Sequence, residues 1–140
     1  QPASRGIIMK AISIRQPYAW LILHAGKTVE NRGWLTTYRG ALLVHTGKMM
    51  TREDYADGLA MTQRFCPSVS LPAPDTLPLG GIVGQVTLID CVQASDSPWF
   101  FGRYGFILAN PLLYRPLPCR GFLGLFEVPD ALLAQLEVVA

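Results

Sequence analysis

Three cations and one carboxylate fall close together near the start of this chain. Arg15 lies in the segment Ser13-Ile14-Arg15-Gln16-Pro17-Tyr18-Ala19-Trp20, and Lys27, Glu30 and Arg32 lie in Gly26-Lys27-Thr28-Val29-Glu30-Asn31-Arg32. Strand residues alternate between faces, so Thr28, Glu30 and Arg32 share one side. A short helix between the segments allows their strands to be neighbours in one sheet. Arg15, Lys27 and Arg32 then converge on Glu30, which forms an anion pocket of phosphate or nucleotide type. The helix opening at Pro17 adds unpaired backbone N–H groups and the positive end of its dipole. A carboxylate such as Glu30 can accept from the exocyclic amine of cytosine or guanine, and the Gln16 amide can read the same kind of edge. Trp20 lies opposite the apolar stripe of its helix, where an aromatic ring can stack on a base. The plainer alternatives are a purely structural ion pair at Glu30 and a Trp20 that packs against the C-terminal half of the chain.

Other chemistries lack their parts. His24 reads as a surface histidine and His45, inside an apolar run, as a core one; a zinc site lacks further ligands at any usable spacing. Ser13 has no sequence partner that would make it a nucleophile. Walker A and GxGxxG patterns are missing, and neither a metal nor a cofactor is expected. Cys66, Cys91 and Cys119 are odd in number and widely spaced, which fits a reducing, cytoplasmic setting. No apolar run reaches the roughly 18 residues of a membrane span.

The elements that must hold these residues can be read from periodicity. Lys10–Arg15 alternates as a strand, and Tyr18, Leu21, Ile22 and Ala25 form a helical stripe that Gly26 ends. Residues 28–34 and 40–46 read as strands, the second buried on both faces. Thr51 caps a helix running to about Phe65, followed by a loop with four prolines at 66–79. Residues 81–92 form a long strand bent at Gly84; 104–109 and 121–128 are strands joined by a proline-rich loop, and a short helix follows Pro129. Residues 1–8 read as a leader-like remnant, leaving one α+β domain over 9–140. Its fold is expected to be a small, mixed, barrel-like sheet of about six strands with flanking helices.

Charge is uneven along the chain. The net value is +2, yet eight of the twelve Lys and Arg precede residue 53, with Glu30 as the only carboxylate among them. A basic first third suits an anionic partner on one side, unless folding intermixes the segments. The modest total argues against tight binding of long duplexes. A Trp99-Phe100-Phe101 loop adds a candidate surface for a protein partner.

The motifs Ser13–Ala19 and Gly26–Arg32, then Arg39-Gly40 leading to Val44-His45, Gly81–Gly84, Tyr104–Leu108 and Cys119-Arg120-Gly121 before Leu123–Phe126, resemble the ASCH domain (activating signal cointegrator homology). The resemblance covers roughly residues 10–128. It implies a PUA-like fold and a cleft lined by Ser13, Arg15, Gln16, Pro17, Trp20, Lys27, Thr28, Glu30 and Arg32. The cleft would take RNA, single-stranded nucleic acid or a nucleotide-like small molecule. Some relatives are small amidohydrolases that deacylate N4-acetylcytidine, with a Thr nucleophile where this chain has Glu30. That departure disfavours their chemistry. A hydrolase of modified nucleosides or RNA remains the alternative, with Lys27 and Glu30 as its acid–base pair and water as nucleophile. A second departure is the insertion at 47–79, a helix and loop placed to cap or narrow the cleft.

Overall fold

A computed structural model describes residues 9–139, so the leader-like reading of 1–8 lies outside the described residues. One six-stranded sheet organises the chain. Its strands are β1 (Met9–Ser13), β2 (Val29–Arg32), β3 (Gly40–Thr46), β4 (Gly81–Val92), β5 (Tyr104–Pro118) and β6 (Leu125–Val128). Their order is β2-β5-β4-β3-β1-β6, with β1 parallel to β3 and every other pairing antiparallel. Helices α1 (Tyr18–His24), α2 (Arg52–Phe65) and α3 (Asp130–Leu133) flank it.

The architecture is α+β with the expected six strands, but the sheet is open, with β2 and β6 as its edges. Both edge strands have only four residues, which leaves little backbone to pair across a seam. A side chain bridges toward it instead: Arg32 on β2 donates from Nη2 to the Ser13 carbonyl at the end of β1, 2.6 Å away.

The inner core explains the period of α1. Ala19, Ile22 and Leu23 pack with Ile12, Ile14, Leu42, Val44, Val86, Leu88 and Phe106. A smaller cluster of Ala11, Leu43, Ile82 and Val128 lies apart from it, met by Leu132, Leu133 and Leu136 near the C-terminus. β1 and β3 therefore contribute to both clusters, and β3 is buried throughout its second half as its apolar run predicts.

Thr51 caps α2 as expected, its Oγ1 accepting from the Asp54 N–H at 3.0 Å. The bend at Gly84 is a bulge, where Val44 pairs with Gly84 but His45 pairs with Ile82. A Cβ on Gly84 would stand 2.6 Å from Leu23 Cδ2 and 2.7 Å from the Leu112 carbonyl oxygen. The close approach of α1 and β5 therefore requires glycine here.

One expectation fails. The segment after Ala109 is not a loop but the second half of a 15-residue β5. β2 pairs with β5 only along Tyr104–Ile107, and farther along the C-terminal segment takes that flank: the Arg115 N–H donates to the Glu137 carbonyl at 2.8 Å and the Val139 N–H to the Leu113 carbonyl at 2.9 Å. Pro111 and Pro116 fall where the β4–β5 register shifts, and Pro118 is the last residue of the strand, so the regular ladder does not depend on their missing N–H groups. The later strand is shorter than expected, beginning at Leu125, and α3 is a single turn.

Candidate nucleic-acid interface

The ends of β1 and β2 and the turn after α1 bring the charged residues together. Gly26 takes a left-handed φ of 75°, letting the chain reverse so that the Lys27 N–H donates to the Leu21 carbonyl at 3.2 Å. That reversal delivers Lys27 to the sheet interior with its side chain only 2% exposed. Its Nζ donates to the Val29 carbonyl and lies 3.7 Å from Glu30 Oε1. On the other side of the carboxylate, Arg32 Nε donates to Glu30 Oε2 at 2.9 Å. Burial lowers the Lys27 pKa from its ordinary 10.5; Glu30 opposes the shift, and Arg32 adds to it.

Arg15 joins from just beyond the end of β1, which is not the sheet neighbour of β2 that the sequence led us to expect, and it pairs with Asp54 instead of Glu30. Its Nη1 is 3.3 Å from Asp54 Oδ2 on α2. That oxygen is buried and accepts no well-aligned hydrogen bond, so the Arg15 guanidinium is what balances it. Tyr18 sits beside this pair, donating its hydroxyl to Asp57 Oδ2 at 2.7 Å. Burial, then the hydrogen bond to Asp57, drives the tyrosine pKa upward, keeping the phenol neutral.

These groups wall a cleft of about 280 Å³ lined by Ser13, Ile14, Arg15, Tyr18, Lys27, Glu30, Asn31, Arg32, Met61 and Phe101. Three cations meet Glu30 and Asp54, and Asp57, bonded to Tyr18, offsets the third, so the cluster is close to neutral. An arrangement with fixed donors beside a carboxylate acceptor suits a ligand that is both polar and weakly anionic better than a bare multivalent anion.

Five cleft members were missed in the sequence: Ile14, Tyr18, Asn31, Met61 and Phe101. Asn31 Nδ2 donates to the Trp99 carbonyl at 2.9 Å, and its Oδ1 accepts from the Phe101 N–H at 3.0 Å. Asn31 thereby ties the aromatic loop to β2 and sets Phe101, 59% exposed, at the cleft. An asparagine one residue from Glu30 was the available signal. Met61 lies on α2, so the inserted segment does border the cleft.

Other expected members are placed elsewhere. Trp20 lines a separate groove with Gln16 and His24, and its ring stacks on His24 at 4.7 Å. It does not reach the charged cluster, because the twist of α1 turns it toward the proline-rich loop. Gln16 is buried; its amide donates to the Pro78 carbonyl at 3.2 Å and accepts from the Trp20 N–H at 3.0 Å. That fixes the start of α1 and leaves Gln16 out of the cleft. The same contact, with the Ala19 and Leu21 N–H groups bonded to the Arg15 and Pro17 carbonyls, uses the donors expected to be free at this helix end. Pro17 is buried against Gly58 of α2, and Thr28 is exposed, its carbonyl accepting from the Leu108 N–H at 2.8 Å. The Trp99-Phe100-Phe101 loop is not a uniformly exposed patch. Trp99 is buried and packs edge-on against Phe65, centroids 5.0 Å apart.

A family model described as the ASCH domain matches residues 12–111. Activating signal cointegrator 1 of Homo sapiens is 33% identical over 104 residues, covering 64% of this chain and 18% of that protein. The Mus musculus protein of the same name is 35% identical over 104 residues, with the same coverage. The chain thus spans under a fifth of the length of these curated relatives. A crystal structure of ASCH from Zymomonas mobilis superposes with a TM-score of 0.52 at 16% identity, covering 91% of this chain and 92% of that one. A mutant of that protein superposes with the same TM-score at 14% identity, covering 91% and 94%. Both agree with the fold described above.

Proposed function

We propose that this chain, which belongs to the ASCH domain family, is a binding module that holds one nucleotide of RNA or single-stranded nucleic acid in the Glu30 cleft. Arg15 and Arg32 meet phosphate, Phe101 offers its exposed ring to the base, and Glu30 accepts from an exocyclic amine. Lys27 sets the carboxylate from behind. The observation that carries the reading is Glu30 itself, a carboxylate held between Lys27 and Arg32 in the wall of a cleft with an exposed aromatic ring. A site built only for anions has no use for a carboxylate at its centre.

Glu30→Gln tests this through the sign of two affinities. Removing the negative charge favours sulfate, which gains affinity by roughly threefold to tenfold. Cytidine 5′-monophosphate loses its ionic acceptor and weakens by about tenfold. Isothermal titration with each anion reads both. If the two affinities move together, Glu30 is not a base reader. The variant also leaves Lys27 and Arg32 facing each other, at a cost of about 1–3 kcal/mol in urea unfolding.

A hydrolase of modified nucleosides is the second reading, favoured by one observation: burial lowers the pKa of Lys27, as base catalysis requires. Its engagement with the Val29 carbonyl and Glu30 counts against a free base. Turnover of N4-acetylcytidine that Lys27→Ala abolishes would replace the binding reading with this one.

A further inference from the structure

Ser13 forms part of the wall of two cavities. Beyond it lies a trough of about 1070 Å³ whose other walls include Lys48, Arg120, Phe122 and Leu123. We propose that this trough is a second subsite, which takes the next nucleotide of a single strand whose first nucleotide occupies the Glu30 cleft. The inference rests on the nucleotide reading of that cleft and adds where the neighbouring nucleotide of the strand is held.

Charge is the first argument. Among the described residues the trough's lining has two cations and no carboxylate, unlike the nearly balanced cleft. Such a surface suits the repeating phosphates of a strand. The second argument is the ring of Phe122, 53% exposed, with the Arg120 guanidinium 5.2 Å from its centroid. A half-exposed ring with a guanidinium over it offers an unpaired base both a stacking surface and a cation.

The loop bearing these groups is held in place from below. His45, fully enclosed within β3, contacts the Cys119 carbonyl through Nε2 at 2.9 Å and Ser13 Oγ through Nδ1 at 2.7 Å. A carbonyl only accepts, so Nε2 carries the proton and Nδ1 accepts from the Ser13 hydroxyl. Gly121 lies directly over this pair: a Cβ there would stand 2.4 Å from His45 Cε1 and 2.5 Å from Ser13 Oγ. The His45 ring meets Phe126 edge-on, and Phe126 in turn meets Phe122, centroids 5.5 Å apart. A loop fixed in this way loses little freedom when a strand docks. The buried histidine thus has a positioning role: it joins Ser13 in the wall of the cleft to the base of the Cys119–Phe122 loop.

Calorimetric titration of the folded chain with cytidine 5′-monophosphate and with tetracytidylate, as RNA and as DNA, tests the subsite. The tetranucleotide is expected to bind at least tenfold tighter than the mononucleotide. Phe122→Ala should remove about tenfold of that gain. Lys48→Gln with Arg120→Gln should lower the tetranucleotide's salt slope by about 1.4, for two lost phosphate contacts at ~0.7 each. Neither change should alter mononucleotide affinity. A mononucleotide that binds, with a tetranucleotide no tighter or insensitive to these variants, overturns the subsite and leaves the cleft standing. No binding of either probe overturns both.

Discussion

Lys27 shows how a residue can serve a site without facing its ligand. Its ammonium is buried against the Val29 carbonyl and Glu30, so it fixes the carboxylate rather than contacting solvent. The same burial gives it a pH signature. The folded pKa lies below 10.5, so between that value and 10.5 the unfolded chain binds more protons than the folded one. Stability from this residue therefore rises with pH through that interval, by up to about 1.4 kcal/mol per pH unit; below the interval the full desolvation cost is borne. Urea unfolding of the wild type and Lys27→Met from pH 7 to 10 should show the wild type gaining on the variant toward the alkaline end. Tyr18, with its raised pKa, works in the opposite sense only above about 10, outside this range. A gap that stays constant or narrows would contradict the buried-ammonium account. Lys27, Glu30 and Arg32 were legible in the sequence because strand alternation and one tight turn bring them together locally; Arg15 reaches the cleft from a strand that is not a neighbour of β2 and pairs with Asp54. Asp54 and Phe101 were not legible, since they arrive from elements 39 and 86 residues beyond Arg15, and only the tertiary fold sets their distance.

At the scale of elements, the cleft depends on how closely α2 approaches the start of α1. Gly58 makes that approach possible, since a Cβ there would lie 2.2 Å from Pro17 Cγ. Helix propensity alone would make Gly58→Ala stabilising by roughly 1 kcal/mol. The packing reverses the sign: the variant should lose about 1–3 kcal/mol, through overpacking against a ring that cannot swing aside. It should also move Asp54 away from Arg15. Thermal unfolding checks the first effect; a variant more stable than wild type would show that α2 rests on α1 loosely. Periodicity located both helices, the buried β3 and the bulge at Gly84. It failed at β5, where prolines signalled a loop but fall at register shifts against β4 and at the strand's end. It failed also for Trp20, whose position opposite the apolar stripe marked it as solvent-facing but could not say toward which groove.

Across the whole molecule, the charge asymmetry of the sequence is largely folded away. Lys10 pairs with Glu127 at 3.6 Å, Arg15 with Asp54 at 3.3 Å and Arg39 with Asp90 at 3.5 Å, each joining the basic first third to a later carboxylate. Among the described residues Lys48, Arg52, Arg64, Arg103 and Arg120 make no ion pair, and of these Lys48 and Arg120 line the trough beside the Glu30 cleft. The central claim is that a nucleotide enters that cleft and not the Trp20 groove, and backbone amide NMR during titration with cytidine 5′-monophosphate tests it most directly. The account predicts saturable shifts at Ser13, Arg15, Lys27–Arg32 and Phe101, with Trp20, His24 and Tyr114 unmoved. Shifts gathered at Trp20, His24 and Tyr114, or no saturable shift anywhere, would contradict it.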